Sequence, residues 1–415
     1  MKRLVRNQSQ LSASGRSHRR LEQTGARPAR FGRAVVGAGR STAGRREAAP
    51  GQGSETRCLK PPALVLIILI LSGSEGFAEQ AGFQMVVERD SRIQVLNLDG
   101  DVMKEFGSAQ GGDNPICLPN GKGVSVVRFT KYGPNAEREL FLLRDPATPA
   151  MQLTFGMNVV PPVSVDAQGE RIAYVSKKSG ELHVVDLESK TSIQLTTTFT
   201  TKQFPGVLGS PLWSPDSTRI AVSYTGTAPK TSSYHVVDVE SHKVTDIPGP
   251  DLNSPLWSSW SPDSRRLAIG RDFRPRIVDV STEMPAVIRD LDRGVDDIQW
   301  SPDGRYLAFR QEDKNYCGSI YTMDLVTGSE QEVSPSFFEY RCFRRPQWSP
   351  DGQWLAFFGH SSRGDMSPVP WPPNIGDQVY VSHRHGLARR ITEDLGFARN
   401  FYGVSWCKNA VGIGH

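Results

Sequence analysis

The sequence predicts an all-β protein made of a single β-propeller, with seven four-stranded blades expected and six as the alternative. Two observations predict this fold class. A phrase built on Trp-Ser-Pro-Asp occurs four times, as LWSPDSTRIAV, SWSPDSRRLAI, QWSPDGRYLAF and QWSPDGQWLAF. The tryptophans of these copies, at 213, 260, 300 and 348, are 47, 40 and 48 residues apart. A strand-rich repeat with a period of about 40 to 50 residues is typical of propeller blades.

Each copy of the phrase predicts a strand, a turn and a second strand. Trp closes the first strand, Pro lacks the amide that would continue the ladder, and Asp-Gly or Asp-Ser forms the turn. The regular recurrence of Asp predicts that its carboxylate accepts backbone hydrogen bonds in the turn and does not bind Ca²⁺, and the same role is expected for Asp166. The structural repeat residues are therefore Trp213, Asp216, Trp260, Asp263, Trp300, Asp303, Trp348 and Asp351.

A third and a fourth strand follow in each repeat. The third is recognised in HVVDLESK, HVVDVESH, RIVDVSTE and YTMDLVTG, which begin at residues 183, 235, 276 and 321. A shorter fourth strand follows in most copies, for example SIQLT from Ser192. Four antiparallel strands per period complete one blade.

Weaker copies extend the series in both directions. First strands are expected near residues 116, 163, 213, 260, 300, 348 and 406, which makes seven blades, or six if the copy at Ile116 is a false match. The segment from Phe83 supplies outer strands without a first strand, whereas Trp406 belongs to a first strand without outer ones. We therefore expect the C-terminal strand to join the N-terminal ones, which closes the ring and removes the exposed sheet edges.

These phrases resemble the TolB-type propeller repeat, the Trp-Ser-Pro-Asp-Gly relative of WD repeats. The resemblance covers residues 79–415, apart from short flanking segments, and implies the propeller fold. It does not select a function, because propellers of this class occur in partner-binding proteins, peptidase accessory domains and lyases. TolB carries a separate domain ahead of its propeller, and this sequence has only a few residues between Ala78 and the first strand.

Three segments make up the chain in this interpretation. Residues 1–60 form a basic arm that is too poor in apolar residues to fold, or that reflects a start codon placed too far upstream. Residues 61–78 are a signal-peptide core and cleavage region: the apolar run 63–71 is followed by small residues and a site after Ala78. Residues 79–415 are the propeller. The alternative for 61–78 is a membrane anchor, although a spanning helix needs about 20 apolar residues.

The charge distribution argues against nucleic acid as a partner. Of the chain's 49 basic and 44 acidic residues, 14 and 3 lie in residues 1–60, which leaves 35 and 41 for the rest. The propeller is therefore mildly acidic, and it lacks the basic excess that phosphate binding requires.

Catalytic and metal-binding patterns are weak in this sequence. The string nearest to a serine-hydrolase elbow, GHSSRG, has Arg363 where the second Gly belongs. His183 and His235 occupy one repeat position on third strands and are expected only to pack or hydrogen-bond. His383 and His385 lie at a turn opposite to His360, so these three should not meet. We predict no catalytic residue, no metal site and no cofactor.

Four cysteines follow the apolar run, an even number that is compatible with disulfides in an exported protein. Cys317 and Cys342 should fall on the same side of the disc, and we predict that they form a disulfide. Cys117 and Cys407 each follow the Trp-equivalent position by one residue in the blades that meet at the closure. A bond between them is the second possibility, and it requires a Cα separation below about 7 Å.

Long connections are predicted to gather on one side of the disc. They carry aromatic and Arg side chains of the kind found at binding hot spots. The partner-binding candidates are Phe337, Phe338, Tyr340, Arg344, Arg345 and Trp371. The sequence therefore predicts an exported, non-catalytic scaffold that binds a protein. The alternative is a lyase or hydrolase acting on a carbohydrate or peptide at the channel mouth.

Overall fold

The computed structural model describes residues 83–408, apart from 90–91, 107–111, 198–205, 227–231, 253–256, 271–274, 292–294, 313–317, 336–341, 361–377 and 393–402. The described residues form strands, turns and irregular segments but no helix. Within those residues, therefore, no helix is long and apolar enough to cross a bilayer. The predicted arm (1–60) and signal region (61–78) lie outside the described residues.

The strands follow one another along the chain as antiparallel sheets of the same kind. Three outer strands come first and belong to blade 1: β1 (Phe83–Arg89), β2 (Arg92–Leu96) and β3 (Val102–Phe106). Blade 2 contains β4 (Asp113–Cys117), β5 (Val124–Lys131), β6 (Glu137–Leu143) and β7 (Met151–Gln152). Blade 3 contains β8 (Val159–Val165), β9 (Arg171–Ser176), β10 (Leu182–Asp186) and β11 (Ser192–Gln194). Blade 4 contains β12 (Gly206–Trp213), β13 (Arg219–Gly226), β14 (Ser232–Asp238) and β15 (Val244–Leu252).

The remaining blades repeat this order. Blade 5 contains β16 (Trp257–Trp260), β17 (Arg266–Gly270), β18 (Arg276–Asp279) and β19 (Ala286–Asp290). Blade 6 contains β20 (Val295–Trp300), β21 (Tyr306–Glu312), β22 (Gly318–Asp324) and β23 (Glu330–Glu332). Blade 7 contains β24 (Cys342–Trp348), β25 (Trp354–His360), β26 (Gln378–His383) and β27 (Arg389–Arg390). The last strand is β28 (Ser405–Lys408).

The ring closes as the sequence predicts. Strand β28 is the innermost strand of blade 1 and pairs antiparallel with β1, with Met85 opposite Trp406. The C-terminal strand thus supplies the first strand that the N-terminal segment lacks. Seven blades are confirmed, and the six-blade alternative is wrong, because the weak copy at Ile116 is the genuine inner strand β4.

The hydrophobic core lies between blades. Each cluster of buried apolar side chains in the described structure combines residues from two neighbouring blades. Trp213 of blade 4, for example, packs with Val175 and Val184 of blade 3. Trp260 also donates its indole Nε1 hydrogen to the Leu212 carbonyl of the preceding blade at 3.1 Å. The repeat tryptophan therefore holds one blade against the next.

The repeat turn is organised by its Ser as well as by its Asp. In blade 4 the Ser214 hydroxyl donates to Asp216 at 2.6 Å and accepts from the Arg219 amide at 3.0 Å, while Asp216 accepts from the Thr218 amide at 3.1 Å. The turns at Asp263, Asp303 and Asp351 have the same pattern.

Asp166 differs from the alignment expected for it. The Asp166 amide donates to the Arg171 carbonyl, and its carboxylate accepts from the Arg171 amide. In blade 4 the amide and hydroxyl of Ser214 make the same two bonds with Arg219. Asp166 therefore occupies the Ser position of the repeat and not the Asp position. Its carboxylate still accepts amide hydrogens of the turn, from Glu170 at 2.8 Å and Arg171 at 3.1 Å.

A disulfide joins Cys117 of β4 to Cys407 of β28, with Cα atoms 5.1 Å apart. It links blades 2 and 1, the two that meet at the closure. Cys117 occupies the Trp position itself and not the one after it, because it precedes the turn as Trp213 does. Cys342 is also disulfide-bonded. Cys317 lies outside the described residues, so its predicted bond to Cys342 stays a prediction.

The two faces of the disc differ in their connections. Because strands alternate in direction within each blade, the turns from first to second and from third to fourth strands share one face, which we call the short-turn face. The connections from second to third strands and from blade to blade share the other, the long-loop face. The longest gaps between consecutive strands, 361–377 and 391–404, open on the long-loop face.

Candidate functional site

The long-loop face is where the sequence places partner-binding residues. Phe337, Phe338, Tyr340 and Trp371 lie outside the described residues. Arg344 and Arg345 are described and lie near the start of β24, at the long-loop end of the inner strand of blade 7.

Arg345 connects two blades. It sits at an irregularity in the pairing of β24 with β25, with a φ of 59° in the left-handed region. Its amide donates to Asp297 Oδ2 of blade 6 at 2.9 Å, and its guanidinium lies 3.4 Å from Oδ1. Both side chains are largely buried, at 15% and 6% exposed. Arg345 therefore links blades 6 and 7 at the long-loop ends of their inner strands.

Two further ion pairs lie at the long-loop ends of inner strands. In blade 6 the Arg310 guanidinium donates to Asp296 at 2.5 Å. In blade 2 Arg138 lies 3.4 Å from Asp113, whose side chain is 9% exposed. Three carboxylates at the long-loop ends of described inner strands, Asp113, Asp296 and Asp297, are thus each paired with an arginine.

Two exposed aromatic residues on the long-loop face were not identified from the sequence. Tyr132, in the β5–β6 connection, is 63% exposed, and Phe155, in the β7–β8 connection, is 70% exposed. They are the exposed aromatic residues among the large hydrophobic side chains of the described structure. A signal for them exists in the sequence. Each directly precedes a glycine with positive φ, Gly133 at 100° and Gly156 at 67°.

Both aromatics are presented by ordered neighbours. The Tyr132 ring stacks on the Phe129 ring, with the ring centroids 5.3 Å apart. The Arg138 guanidinium carbon lies 4.4 Å from the Phe129 centroid. The connection that carries Phe155 is held by Glu139, which is 1% exposed. Glu139 accepts from the Met157 amide at 2.9 Å and from the Thr154 hydroxyl at 2.6 Å. These contacts reduce the entropy that either loop would lose on binding a partner.

The histidines lie elsewhere. His183 and His235 are on third strands, where their Nε2 atoms contact the hydroxyls of Ser179 at 2.9 Å and Ser233 at 2.7 Å. In blade 4 the imidazole Nδ1 also lies 2.8 Å from Asp246, which is 88% exposed. Burial lowers the pKa of both imidazoles.

His360 lies on the opposite side of the disc from His383 and His385. The rings of His383 and His385 are 5.9 Å apart at the β26–β27 turn on the short-turn face, and β25 ends at His360 on the long-loop side. No group of three or more His, Cys, Asp or Glu within the described ranges could hold a metal ion.

Comparison with known proteins identifies the repeat. A family model described as the TolB beta propeller domain matches residues 145–369, more than half of the chain. A search of curated proteins finds no significant match.

Solved structures similar to the chain are propellers of several kinds. TolB from Acinetobacter baumannii is 13% identical, with 76% of this chain and 78% of that chain covered and a TM-score of 0.45. An oligogalacturonate lyase from Vibrio parahaemolyticus is 15% identical, with 75% and 84% covered and a TM-score of 0.51. An oligogalacturonate lyase in complex with manganese is 14% identical, with 64% and 79% covered and the same TM-score. At such identities the likeness shows the fold alone.

Proposed function

Since the chain belongs to the TolB β-propeller domain family, we propose that it is an exported, non-catalytic propeller that binds another protein through its long-loop face. The observation that carries the proposal is the placement of the exposed aromatics Tyr132 and Phe155, which both lie on that face. Aromatic side chains bury a large area with few rotatable bonds and are enriched at interface hot spots. Ring closure and inter-blade pairing supply the rigid support.

Export is part of the proposal. Residues 61–78 act as the signal and 79–415 form the secreted domain in the periplasm or outside the cell, where disulfides such as Cys117–Cys407 persist. The alternative is a protein anchored through 63–71.

The test is purification from the native envelope fraction after mild crosslinking, followed by mass spectrometry of the protein and of what accompanies it. We expect a reproducible protein partner that is lost from the double variant Tyr132→Ala/Phe155→Ala and from Phe337→Ala/Phe338→Ala/Trp371→Ala. The matched control is Met284→Ala/Val326→Ala, which removes side chains that are 84% and 80% exposed on the short-turn face. Equal loss of the partner from the control contradicts binding through the long-loop face.

The same sample tests export and processing. A mature N-terminus at Glu79 supports cleavage after Ala78, whereas an N-terminus at Met1 supports retention of the arm and the anchored alternative.

The alternative function is a lyase or hydrolase acting on a carbohydrate or peptide at the channel mouth. It is favoured by the carboxylate–guanidinium pairs of Asp296 with Arg310 and Asp297 with Arg345, since such groups can bind acidic sugars and transfer protons. Incubation with oligogalacturonate, the substrate named for two of the similar structures, tests this directly. Turnover that is lost in Asp296→Asn and Asp297→Asn would replace the scaffold proposal.

A further inference from the structure

Arg128 lies in the seam between blades 1 and 2. It belongs to β5 and is two residues beyond Val126, on the same side of the sheet. That side packs against blade 1, because Val126 shares a buried cluster with Val86 and Cys407. Arg128 therefore faces the seam that the Cys117–Cys407 disulfide closes, at its long-loop end.

The Arg128 side chain is buried without a polar partner. The residue is 6% exposed, and its Nε atom is enclosed with no hydrogen-bond acceptor. Its guanidinium carbon lies 5.9 Å from the Phe141 ring centroid, which makes a weak contact with the ring. No described residue forms an ion pair or hydrogen bond with this guanidinium. Burial accordingly lowers its pKa.

Other largely buried arginines near the mouth differ in this respect. Arg310 pairs with Asp296 and Arg345 with Asp297, and all four side chains are less than one-fifth exposed. Glu139 lies opposite Arg128 in the β5–β6 register, but its carboxylate accepts from Thr154 and from the Met157 and Asn158 amides. A buried cation without an ion-pair partner is expensive, because nothing repays its desolvation. A buried group of this kind calls for an explanation such as an ion or ligand.

The backbone of blade 2 packs closely against the stem of Arg128 in this seam. A Cβ atom on Gly112, at the start of blade 2, would lie 2.9 Å from the Val126 Cβ and 3.5 Å from the Arg128 Cγ. Glycine therefore lets the backbone approach the stem of the arginine closely. The enclosed Nε leaves the two terminal nitrogens of the guanidinium to meet a ligand.

We infer that the long-loop end of the blade 1–blade 2 seam is an oxyanion-binding site, in which the Arg128 guanidinium binds a carboxylate. The planar guanidinium matches a carboxylate with two parallel hydrogen bonds. The carboxylate comes either from an acidic side chain of the partner or from a small free acid. Only the first source rests on the proposed function.

The experiment measures thermal unfolding of the exported protein with increasing acetate, against chloride at equal ionic strength. We expect acetate to raise the unfolding midpoint of the wild type by several degrees. Arg128→Met should have a higher midpoint than the wild type without acetate, because the unpaired charge is gone, and should not respond to acetate. Arg144→Met, which removes an exposed arginine of the same blade, should respond as the wild type does.

A second variant, Arg128→Lys, keeps the test valid if Arg128→Met fails to fold. It keeps the charge but cannot form two parallel hydrogen bonds, so we expect it to fold and to require several-fold more acetate for the same shift. A wild-type response equal to that of Arg128→Met, or no response at all, overturns the inference.

A second arm distinguishes the two sources. Hexaglutamate and hexaglutamine are titrated against the wild type and Arg128→Met. Arg128-dependent binding of hexaglutamate that is tighter than that of acetate assigns the site to an acidic segment of a partner. A response to acetate without that gain assigns it to a small acid. Arg128 is not changed in the crosslinking and purification experiment described under the proposed function. Absence of a partner in that experiment contradicts the proposed function, whereas absence of an acetate response contradicts only the oxyanion site.

Discussion

At the residue scale, each repeat turn depends on one buried hydroxyl group. Ser261 is fully buried; its hydroxyl donates to Asp263 and accepts from the Arg266 amide at 2.9 Å. Removing it leaves the Arg266 amide without its acceptor and takes one donor from Asp263, which keeps the Arg265 amide at 3.1 Å. In the sequence the Asp of this turn stands out as a potential metal ligand. The Ser hydroxyl also stabilises the turn through hydrogen bonds, although nothing in the sequence marks it.

We expect Ser261→Ala to lower the free energy of unfolding by about 1 to 3 kcal/mol, the usual cost of leaving buried partners unpaired. Urea denaturation measures the change. The control is Ser281→Ala in the same blade, where an exposed hydroxyl donates to Asp279 at 2.6 Å and the loss should stay below about 1 kcal/mol. Equal losses in the two variants would contradict the role assigned to the buried turn.

His183 gives a prediction about pH. Burial lowers the pKa of its imidazole below the ordinary value of about 6.5, although Glu181 acts in the opposite direction. The unfolded chain then binds a proton more readily than the folded one, so this stability is fully present above about pH 6.5 and falls as the pH drops toward the folded pKa.

In His183→Gln we expect a weaker fall in the free energy of unfolding between about pH 6.5 and 5 than in the wild type. Burial also lowers the pKa of His235 and His383, which both proteins retain, so only the difference between their pH profiles reports on the substitution. Parallel profiles would show that His183 titrates alike in the folded and unfolded states.

At the element scale, the blades are joined by an arginine that follows the repeat turn. Arg219 of blade 4 lies 5.2 Å above the Trp260 ring of blade 5 and donates to the Val280 and Ser264 carbonyls of that blade at 2.6 and 2.5 Å. Arg171 and Arg266 stand over the next tryptophan in the same way. At the later seams Tyr306 and Trp354 occupy this position.

Arg219→Met should keep the packing of the stem and lose the charged hydrogen bonds across the seam. We expect the free energy of unfolding to fall by about 2 to 3 kcal/mol. Arg265→Met, an exposed arginine in the adjoining turn, should change it by less than about 0.5 kcal/mol. Both changes are measured by urea titration. If Arg219→Met lowers the free energy of unfolding no more than Arg265→Met does, the hydrogen bonds of Arg219 do not stabilise the seam.

The sequence predicted the elements far better than the site. The Trp-Ser-Pro-Asp period located the blades and their closure because each repeat has the same hairpin chemistry. It misplaced Asp166, since that copy lacks the Ser-Pro pair that fixes the alignment. Tyr132 and Phe155 were not predicted, because the prediction selected residues in long loops and these two lie in short ones. Inter-blade pairs such as Asp297 with Arg345 join residues 48 positions apart, and no local pattern reveals such pairs.

At the scale of the whole molecule, closure depends on one strand and one disulfide. Cys117 and Cys407 are 290 residues apart in sequence, so their bond closes a loop that spans most of the propeller in the unfolded chain. By the chain-entropy relation, its removal in Cys117→Ser/Cys407→Ser should cost about 5 to 6 kcal/mol. Hydrogen exchange should show β28 losing protection before the inner strands of other blades. Unchanged stability and uniform exchange would mean that the pairing of β28 with β1 suffices.

The central claim is that the long-loop face binds a protein, and site-specific photocrosslinking tests it most directly. A photoreactive phenylalanine is placed at Tyr132 or Phe155 on that face, and at Met284 or Val326 on the short-turn face. Illumination of the native envelope fraction should give one discrete crosslinked protein from the first pair of positions and none from the second. Crosslinks from both faces alike, or from the short-turn face alone, would contradict the claim.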